Sequence, residues 1–413
     1  MEFIYPGDEP ERSRGKLAII IAGVIVAVGA ISASSYFLYS HFFVARPSPK
    51  QNAQKVSEPE VVSQQTPTVA KVQGRYLFNG TIVLARAVEK YAHGDYNQPF
   101  SQLDTFHREQ YDAWSTDFEC PITNAVVPYQ DQIDHLNFNC RPEFLPALTK
   151  YFNLIDLANN HTDNQGGQAG IAETRKHLND YAGVQYFGNY DPTILNDICE
   201  VIALPVRMQK TDKTEEKASL PIAFCAWHYF NYNRGPYPDE LNIVKKYNDV
   251  LPVLGFVEMG NEYQAKASDS QVAIAHQLID TGAEFLLANN PHWVQNAEVY
   301  KGKLIIYSLG NFIFDQIDTE TQRGVSLDAT LTVPYDENVA KWVALGKECI
   351  GFQDSCLKKA QEQGLKKIQV GFKYAAVANQ DGAGKITHKA DPATQAAVEE
   401  RLGWADVLKQ LGQ

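Results

Sequence analysis

Residues 289–315 read NNPHWVQNAEVYKGKLIIYSLGNFIFD, and the fold is decided by how that stretch is read. An apolar strand-like run, 285–288, leads into it, and Pro291-His292 follows at once. Residues 297–300 and 303–308 then alternate as two arms of a hairpin around a Lys301-Gly302 turn. The run closes on Leu309-Gly310-Asn311, where glycine lets the backbone pass close to whatever lies beneath it. Polar residues at the ends of apolar strands are how α/β proteins assemble sites, because those ends gather on one edge of a sheet. Spacing alone fits equally well an ordinary buried hairpin with a surface histidine.

On either side of this stretch, strand-like and helix-like segments alternate, which argues an α/β fold. Strands are expected at 76–84, 113–119, 136–139, 153–158, 186–189, 197–205, 222–227, 250–257, 324–333 and 366–376. Helices are expected at 99–112, 166–181, 268–281 and 390–411. The third carries its own punctuation: Ser268 and Gln271 form a capping box, and Gly282 is the stop. Residues 338–364 read as an insertion.

Composition bounds the function. The chain has 413 residues, 44% of them hydrophobic and 11% aromatic, which is enough apolar material for a substantial core. A formal net charge of −12 leaves no basic face for nucleic acid. Six cysteines include no Cys-x-x-Cys pair, which argues against a zinc knuckle or a thioredoxin-type motif. Their even number suits disulfides outside the cytoplasm, with six buried thiols as the alternative. Cys349–Cys356 would close a short local loop; Cys120–Cys140 and Cys199–Cys225 would each join neighbouring strand ends.

The N-terminal region sets the expected topology. Residues 17–38, LAIIIAGVIVAVGAISASSYFL, form an apolar run long enough to cross a bilayer core of about 30 Å at about 1.5 Å per helical residue. Tyr36, Phe37, Tyr39, Phe42 and Phe43 make an aromatic belt at its far end. The expected plan is a cytoplasmic segment 1–16, a signal anchor 17–43, a Pro/Gln/Ser/Thr-rich flexible linker 44–74 and a folded extracytoplasmic domain 75–413. A cleaved signal or a buried helix are the alternatives for the apolar run. Nearby positive residues tie, with Arg12, Arg14 and Lys16 before it and Arg46, Lys50 and Lys55 after it. The tight clustering of the first three leans towards the N-terminus inside.

The wording of several motifs resembles the CapA family, the capsule and poly-γ-glutamate synthesis accessory proteins. Members carry His-Pro-His, a Val-Gln step, a VYKGKLI hairpin and YSLGNFIFD; here Pro291-His292, Val294-Gln295, 299–305 and 307–315 correspond. "LANNH" at 157–161, with Gly166 downstream, also fits, while Asn164 stands where an aspartate is usual. Asp117-Phe118-Glu119-Cys120-Pro121-Ile122-Thr123 stands where members have Asn-Leu-Glu-x-Pro-Ile-Thr. Three departures concern metal-ligand positions. Gly80-Thr81 replaces Gly-Asp, ahead of Arg86; Glu258 opens a His-Trp-Gly-x-Glu-Tyr motif; and Asn290 replaces the first histidine of His-Pro-His.

The resemblance covers residues 75–333 and implies a metallophosphatase-like α/β/β/α four-layer sandwich with its site on loops at strand ends. It implies Asn160, His161 and His292 as the catalytic-type residues. Arg86, Asp117, Glu119, Asn159, Glu258, Asn289, Asn290 and Asn311 are the expected ligand-binding set, with Arg86 and Asn311 at the rim. No cofactor is assigned, but there is room for one divalent metal ion held by Glu119, Glu258 and His292. With three ligand positions substituted, a normal two-metal centre is not expected. The function expected is that of a single-pass membrane-anchored accessory protein for synthesis or export of a capsule or other anionic surface polymer. Its partners would be that polymer, or its synthesis and export complex, and the membrane. A metal-dependent phosphoesterase-like hydrolase is the alternative.

Overall fold

The computed structural model describes residues 68–230, 235–349 and 353–413. The expected anchor 17–43 and the linker up to residue 67 lie outside the described residues. Within them, no helix is long and apolar enough to cross a membrane.

The fold is a mixed α/β arrangement dominated by one branched sheet. Its strands are β1 (Val69–Ile82), β2 (Ala113–Phe118), β3 (Leu154–Asp156), β4 (Gln185–Phe187), β5 (Cys199–Lys210), β6 (Glu215–His228) and β7 (Val253–Glu258). They continue with β8 (Ala283–Asn289), β9 (Ala297–Tyr300), β10 (Lys303–Ile306), β11 (Asn311–Ile313), β12 (Arg323–Pro334), β13 (Gly371–Asp381) and β14 (Thr387–Lys389). The long path runs β14-β13-β12-β1-β5-β6-β7-β8-β10-β9. A branch leaves β1 through β2 to β3 and β4, and β11 also pairs with β1.

The branch point is a change of partners along β1. Residues 69–73 pair with β5, whereas residues 76–82 pair with β2 on a parallel register. The two arms therefore part from one strand and close over a shared core. Strand alternation sorts the side chains. Tyr76 and Phe78 of β1, Ala113 of β2 and Leu154 of β3 belong to one apolar cluster, while Leu77, Trp114 and Ile155 belong to another. In the first, Phe78 meets Phe224, Phe256 and Phe285 of the opposite arm at ring separations of 6.3, 5.8 and 5.5 Å. In the second, Trp114, Phe152 and Phe312 pack with Ile171 and Leu178 of the helix Gln168–Asn179. Helices Pro238–Asn248 and Asp269–Thr281 bring Val244, Tyr247, Ala275 and Leu278 to the first cluster.

Where β1 enters the site, Gly80 is required by contact. A Cβ there would lie 2.0 Å from the Gly310 carbonyl oxygen, and the β1–β2 register shifts between Asn79 and Thr81. Two glycines thus let β1 and the loop before β11 touch, and the Thr81 amide donates to the Gly310 carbonyl at 3.1 Å.

The hairpin of the opening stretch forms as read, with arms 297–300 and 303–306. Ser268 caps its helix through the reciprocal bond with Gln271, and Gly282 ends it at φ 124°. All three expected disulfides form, with Cα separations of 5.7, 4.0 and 4.8 Å for Cys120–Cys140, Cys199–Cys225 and Cys349–Cys356.

Other segments differ from expectation. Residues 99–112 form three short 3-10 turns instead of a helix, with His107 in the left-handed region at φ 57° between two of them. Residues 136–139 form no strand, since Leu136 turns the chain at φ 52° and pairing is limited to an Ile122–Cys140 bridge. The last helix is broken in two by Gly403 at φ 69°. β1 begins at Val69, so residues 69–74 are strand and the folded part starts before residue 75.

Candidate functional site

Register places the site. On one arm Asn311 pairs with Thr81, Thr81 with Asp117, and Asp117 with Asp156. On the other, His228 pairs with Glu258 and Glu258 with Asn289. All of these pairings are parallel, and apart from Asn311, which opens β11, the residues of each row lie at the C-terminal ends of their strands, the edge at which α/β sheets bind ligands. Glu119, Asn159, Asn160, His161, Asn290 and His292 follow in the loops directly beyond those ends.

Hydrogen bonds tie the first row together. The Thr81 hydroxyl donates to Asp117 Oδ2 at 2.7 Å, and Asn159 Nδ2 donates to both Asp117 oxygens at 3.1 and 3.2 Å. Asn159 Oδ1 accepts the His161 amide at 3.0 Å, which fixes the turn. His161 is oriented through Nδ1, 3.1 Å from Asn164 Oδ1, and its ring lies 4.2 Å from that of Phe138. Its Nε2 is 4.0 Å from Glu119 Oε1. His292 mirrors this: Nδ1 meets Asn311 Oδ1 at 2.9 Å, and Nε2 faces Glu262 Oε1 at 3.9 Å. A carbonyl oxygen at Nδ1 selects the neutral tautomer that leaves Nε2 as an acceptor.

Arg86 is held at the same place. Its Nη2 donates to Asp315 at 2.5 Å, and its guanidinium lies between the rings of Phe138 and Phe314 at 4.5 and 5.2 Å. Backbone strain collects here as well. Arg86, Tyr263, Asn290 and His292 have φ of 50°, 58°, 95° and 58°. Each such conformation costs about 1–3 kcal/mol and persists only where the surroundings enforce it, as at binding sites.

Burial governs the electrostatics. Asp117, Glu119, Asp156 and Glu258 are 4, 3, 7 and 4% exposed. Burial pushes Asp117 up to about 6, against the pull of its bonds from Thr81 and Asn159. Burial also drives Glu119, Asp156 and Glu258 well above the usual carboxylate range, with neighbouring carboxylates adding to it. Asp117, Glu119, Asp156 and Glu262 all act on Glu258, which places the two rows within electrostatic reach of each other. Burial lowers His161, His228 and His292 to about 4, so the three imidazoles are neutral at pH 7.

Some acceptors are left over. Glu119 Oε2, Glu258 Oε2 and Asn289 Oδ1 are buried without a hydrogen-bond partner among the described residues. Asn289, Asp117 and Asp156 share the lining of a small internal cavity with Asn79 and Thr116. Among the described residues, no three His, Cys, Asp or Glu side chains are grouped to hold a metal ion. Glu119, Glu258 and His292, expected as ligands of one ion, are therefore not gathered as such a set.

With this geometry in view, comparison with known proteins decides the family. The profile described as "Bacterial capsule synthesis protein PGA_cap" matches residues 75–195 and 215–316, more than half of the chain. The chain belongs to this family. It is similar to the capsule biosynthesis protein CapA of Bacillus anthracis, 28% identical over 220 residues covering 51% of this chain and 52% of that one. It is also similar to the PGA biosynthesis protein CapA of Bacillus subtilis (strain 168), 40% identical over 260 residues covering 59% and 64%. The match thus spans between half and two thirds of these relatives' length. A solved Thermus thermophilus structure, TT1561, overlaps with a TM-score of 0.32 at 11% identity, covering 63% of this chain and 95% of that one, too distant to carry an argument.

Within this PGA_cap chain the expected residues are placed unevenly. Asp117, Glu119, Asn159, His161, Glu258, Asn289 and His292 stand at the strand ends, and Asn160 lies half-buried between Asn159 and His161. Asn290 spends its side-chain amide on the Gly260 carbonyl at 2.5 Å. Asn311 is not at the rim: it is 2% exposed behind His292, with Nδ2 bonded to Gln316 and the Thr321 carbonyl.

Asp156, His228, Glu262 and Asp315 were not foreseen. Glu262 and Asp315 carried a signal, since both fall within matched motifs. Asp156 and His228 carried none, because only strand register shows that they neighbour Asp117 and Glu258.

Proposed function

We propose that this chain is an accessory protein for the synthesis or export of a capsule or similar anionic surface polymer, anchored in the membrane by residues 17–43 with its folded part outside. The paired sheet arms with helices on their outer faces are read as the metallophosphatase-like four-layer sandwich, used here for binding. One observation carries the reading. The Thr81 hydroxyl, at a position where a two-metal site needs a carboxylate, is committed as a donor to Asp117. Glu258 and Asn290 replace two further nitrogen ligands, and the Asn290 amide is already bonded to a carbonyl. This donor set does not fit a binuclear centre, which needs several carboxylates and histidines converging on two nearby ions. No catalytic step is assigned.

The relatives' names support the polymer role, and the three disulfides suit an oxidising compartment outside the cytoplasm. The test is genetic and biochemical. Deleting the gene should abolish or shorten the surface polymer, restored by the full chain but not by His161→Ala. Two equivalents of tightly bound metal, together with a phosphodiesterase activity lost in His161→Ala, would establish the hydrolase instead.

A further inference from the structure

One strip of chain supports the Arg86 and His292 side of the site. Within residues 311–316, Asn311 Oδ1 meets His292 Nδ1 at 2.9 Å, Asp315 accepts from Arg86 Nη2 at 2.5 Å, and Gln316 Nε2 donates to the Tyr263 hydroxyl at 3.0 Å. Tyr263 in turn stacks on His292, with ring centroids 6.0 Å apart. The strand in this strip, β11, is three residues long and pairs with β1. So short a strand has few ladder bonds to hold its position.

Further support comes from side chains of the β13–β14 hairpin. Asn379 Nδ2 donates to the Asn311 carbonyl at 3.0 Å, the Thr387 hydroxyl donates to the Phe312 carbonyl, and Lys385 Nζ donates to the Gln316 carbonyl at 2.5 Å. Asn379, Thr387 and Lys385 are 1, 0 and 7% exposed. A buried donor without an acceptor is costly, so each of these side chains is tied to its carbonyl. All three lie beyond residue 316, where the family match ends.

Lys385 is the telling member. Lysine is rarely buried at all unless something holds its ammonium. Lys385 also adopts φ 61° beside Gly384 at φ 72°, in a turn closed by the Gly382 amide donating to the Ile386 carbonyl at 2.8 Å. That backbone conformation favours glycine or asparagine, which would serve a turn that only had to reverse the chain. The lysine is explained by what its ammonium reaches. Gln98 Nε2 steadies the turn by donating to the Gly384 carbonyl at 2.8 Å.

We propose that the β13–β14 hairpin is a clasp that positions Arg86 and His292 through residues 311–316, with Lys385 as its chief positioning residue. Lys385 acts through the Gln316 backbone. On one side of that carbonyl stands Asp315, which holds Arg86; on the other is the Gln316 side chain, which accepts from Asn311 Nδ2 at 3.0 Å and reaches Tyr263. Taking Arg86 and His292 as ligand-facing rests on the proposed function above, whereas the clasp itself rests on these hydrogen bonds.

The experiment compares Lys385→Met and Asp336→Ala with the unsubstituted full chain in detergent, with histidine and arginine labelled for NMR. Methionine keeps an unbranched apolar stem and removes the donors. Asp336 caps the helix Glu337–Leu345 by accepting the Val339 amide at 2.7 Å, so its loss lowers stability elsewhere in the fold. Lys385→Met should shift the His292 ring nitrogens and speed exchange of the buried Arg86 Nε–H about tenfold or more, the scale of one lost hydrogen bond. Asp336→Ala should lower the melting temperature and leave both signals unchanged. Unchanged signals in Lys385→Met overturn the clasp, and so do equal changes in both variants. Should Lys385→Met fail to fold, hydrogen exchange of the unsubstituted chain decides. Amides of 311–316 and 379–387 should then share one opening free energy as low denaturant is added, and a strip that stays protected while the hairpin opens overturns the clasp. Surface polymer plays no part in these readouts, so failure of the accessory-protein reading in the deletion test leaves the clasp standing, and failure of the clasp leaves that reading standing.

Discussion

The two polar rows that meet at the site differ in how completely they are satisfied. At the strand ends of the β1–β2–β3 arm, Asp117 accepts from Thr81 and Asn159, and Asp156 Oδ1 accepts the Ala158 amide at 2.9 Å; the leftover acceptor on this side, Glu119 Oε2, lies in the loop beyond β2. On the β6–β7–β8 arm, Glu258 Oε2 and Asn289 Oδ1 have no partner among the described residues. Both rows are buried and both are acidic, so burial and charge do not separate structure from function here. What separates them is spare valence. A saturated row holds the edge of the sheet in shape, and an unsaturated one has something left to offer a ligand.

The largest effect is expected where the arms depend on each other. Phe78→Ala removes the ring that touches Phe224, Phe256 and Phe285 across the shared core. It should cost about 3–5 kcal/mol in a denaturant titration. A loss under about 1 kcal/mol would mean that the rows are positioned without that core.

The Cys120–Cys140 bridge comes next. It joins the residue after Glu119 to the segment bearing Phe138, whose ring packs at a tilt against that of His161. Replacing both cysteines by alanine should lower stability by about 3 kcal/mol, as expected for a bridged loop of this size. It should also alter the His161 imidazole resonances in NMR. Unchanged resonances would show that the bridge supports the chain but not the site.

Asp117 gives a pH signature. Its folded value, about 6, lies above its ordinary 3.8, so its contribution is fully present below about 3.8 and is lost as pH rises through about 6. The shift corresponds to about 3 kcal/mol. His161, His228 and His292 act in the opposite sense: lowered from 6.5 to about 4, they cost stability as pH falls through that window. Asp117→Asn, with an amide that can still accept from Thr81, should remove the carboxylate component. Melting temperatures should then rise at pH 8 relative to the unsubstituted chain, while the loss on acidification steepens. An unchanged profile would remove Asp117 from the titrating groups.

The smallest effect on stability, and the sharpest contrast, belongs to Glu258→Gln. Burial and the neighbouring carboxylates push Glu258 well above the usual carboxylate range, so a neutral amide of nearly the same shape should change stability by under about 1 kcal/mol. Ligand affinity is where it should register. A large loss of stability would mean that this row too is structural.

The legible parts of the fold were those written locally. The hairpin around Lys301-Gly302, the Ser268 cap and the three cysteine pairs each follow from residues close in sequence or at strand ends. Much of the site was legible for a related reason, since Asn159, His161, Asn290 and His292 directly follow strands that could be seen. Asp156 and His228 escaped because their role comes from a neighbour on the next strand, and register is a property of the pair. Asn311 was misplaced because the close approach at Gly80 and Gly310 carries the backbone beneath the site instead of along its edge. The turns at 99–112 looked helical, but His107 adopts a backbone angle that no helix tolerates.

β1 has a mechanical consequence. It is laced to β5 and β12 along its first half, and at its other end it carries Thr81 into the site. Tension applied at Val69 runs along the strand axis, perpendicular to those ladders of hydrogen bonds, so the bonds share the force and must shear together instead of unzipping one by one. A pull from the N-terminal side is thus resisted by two ladders before it reaches Thr81, and the ligand-facing edge is insulated from movement of whatever precedes the domain.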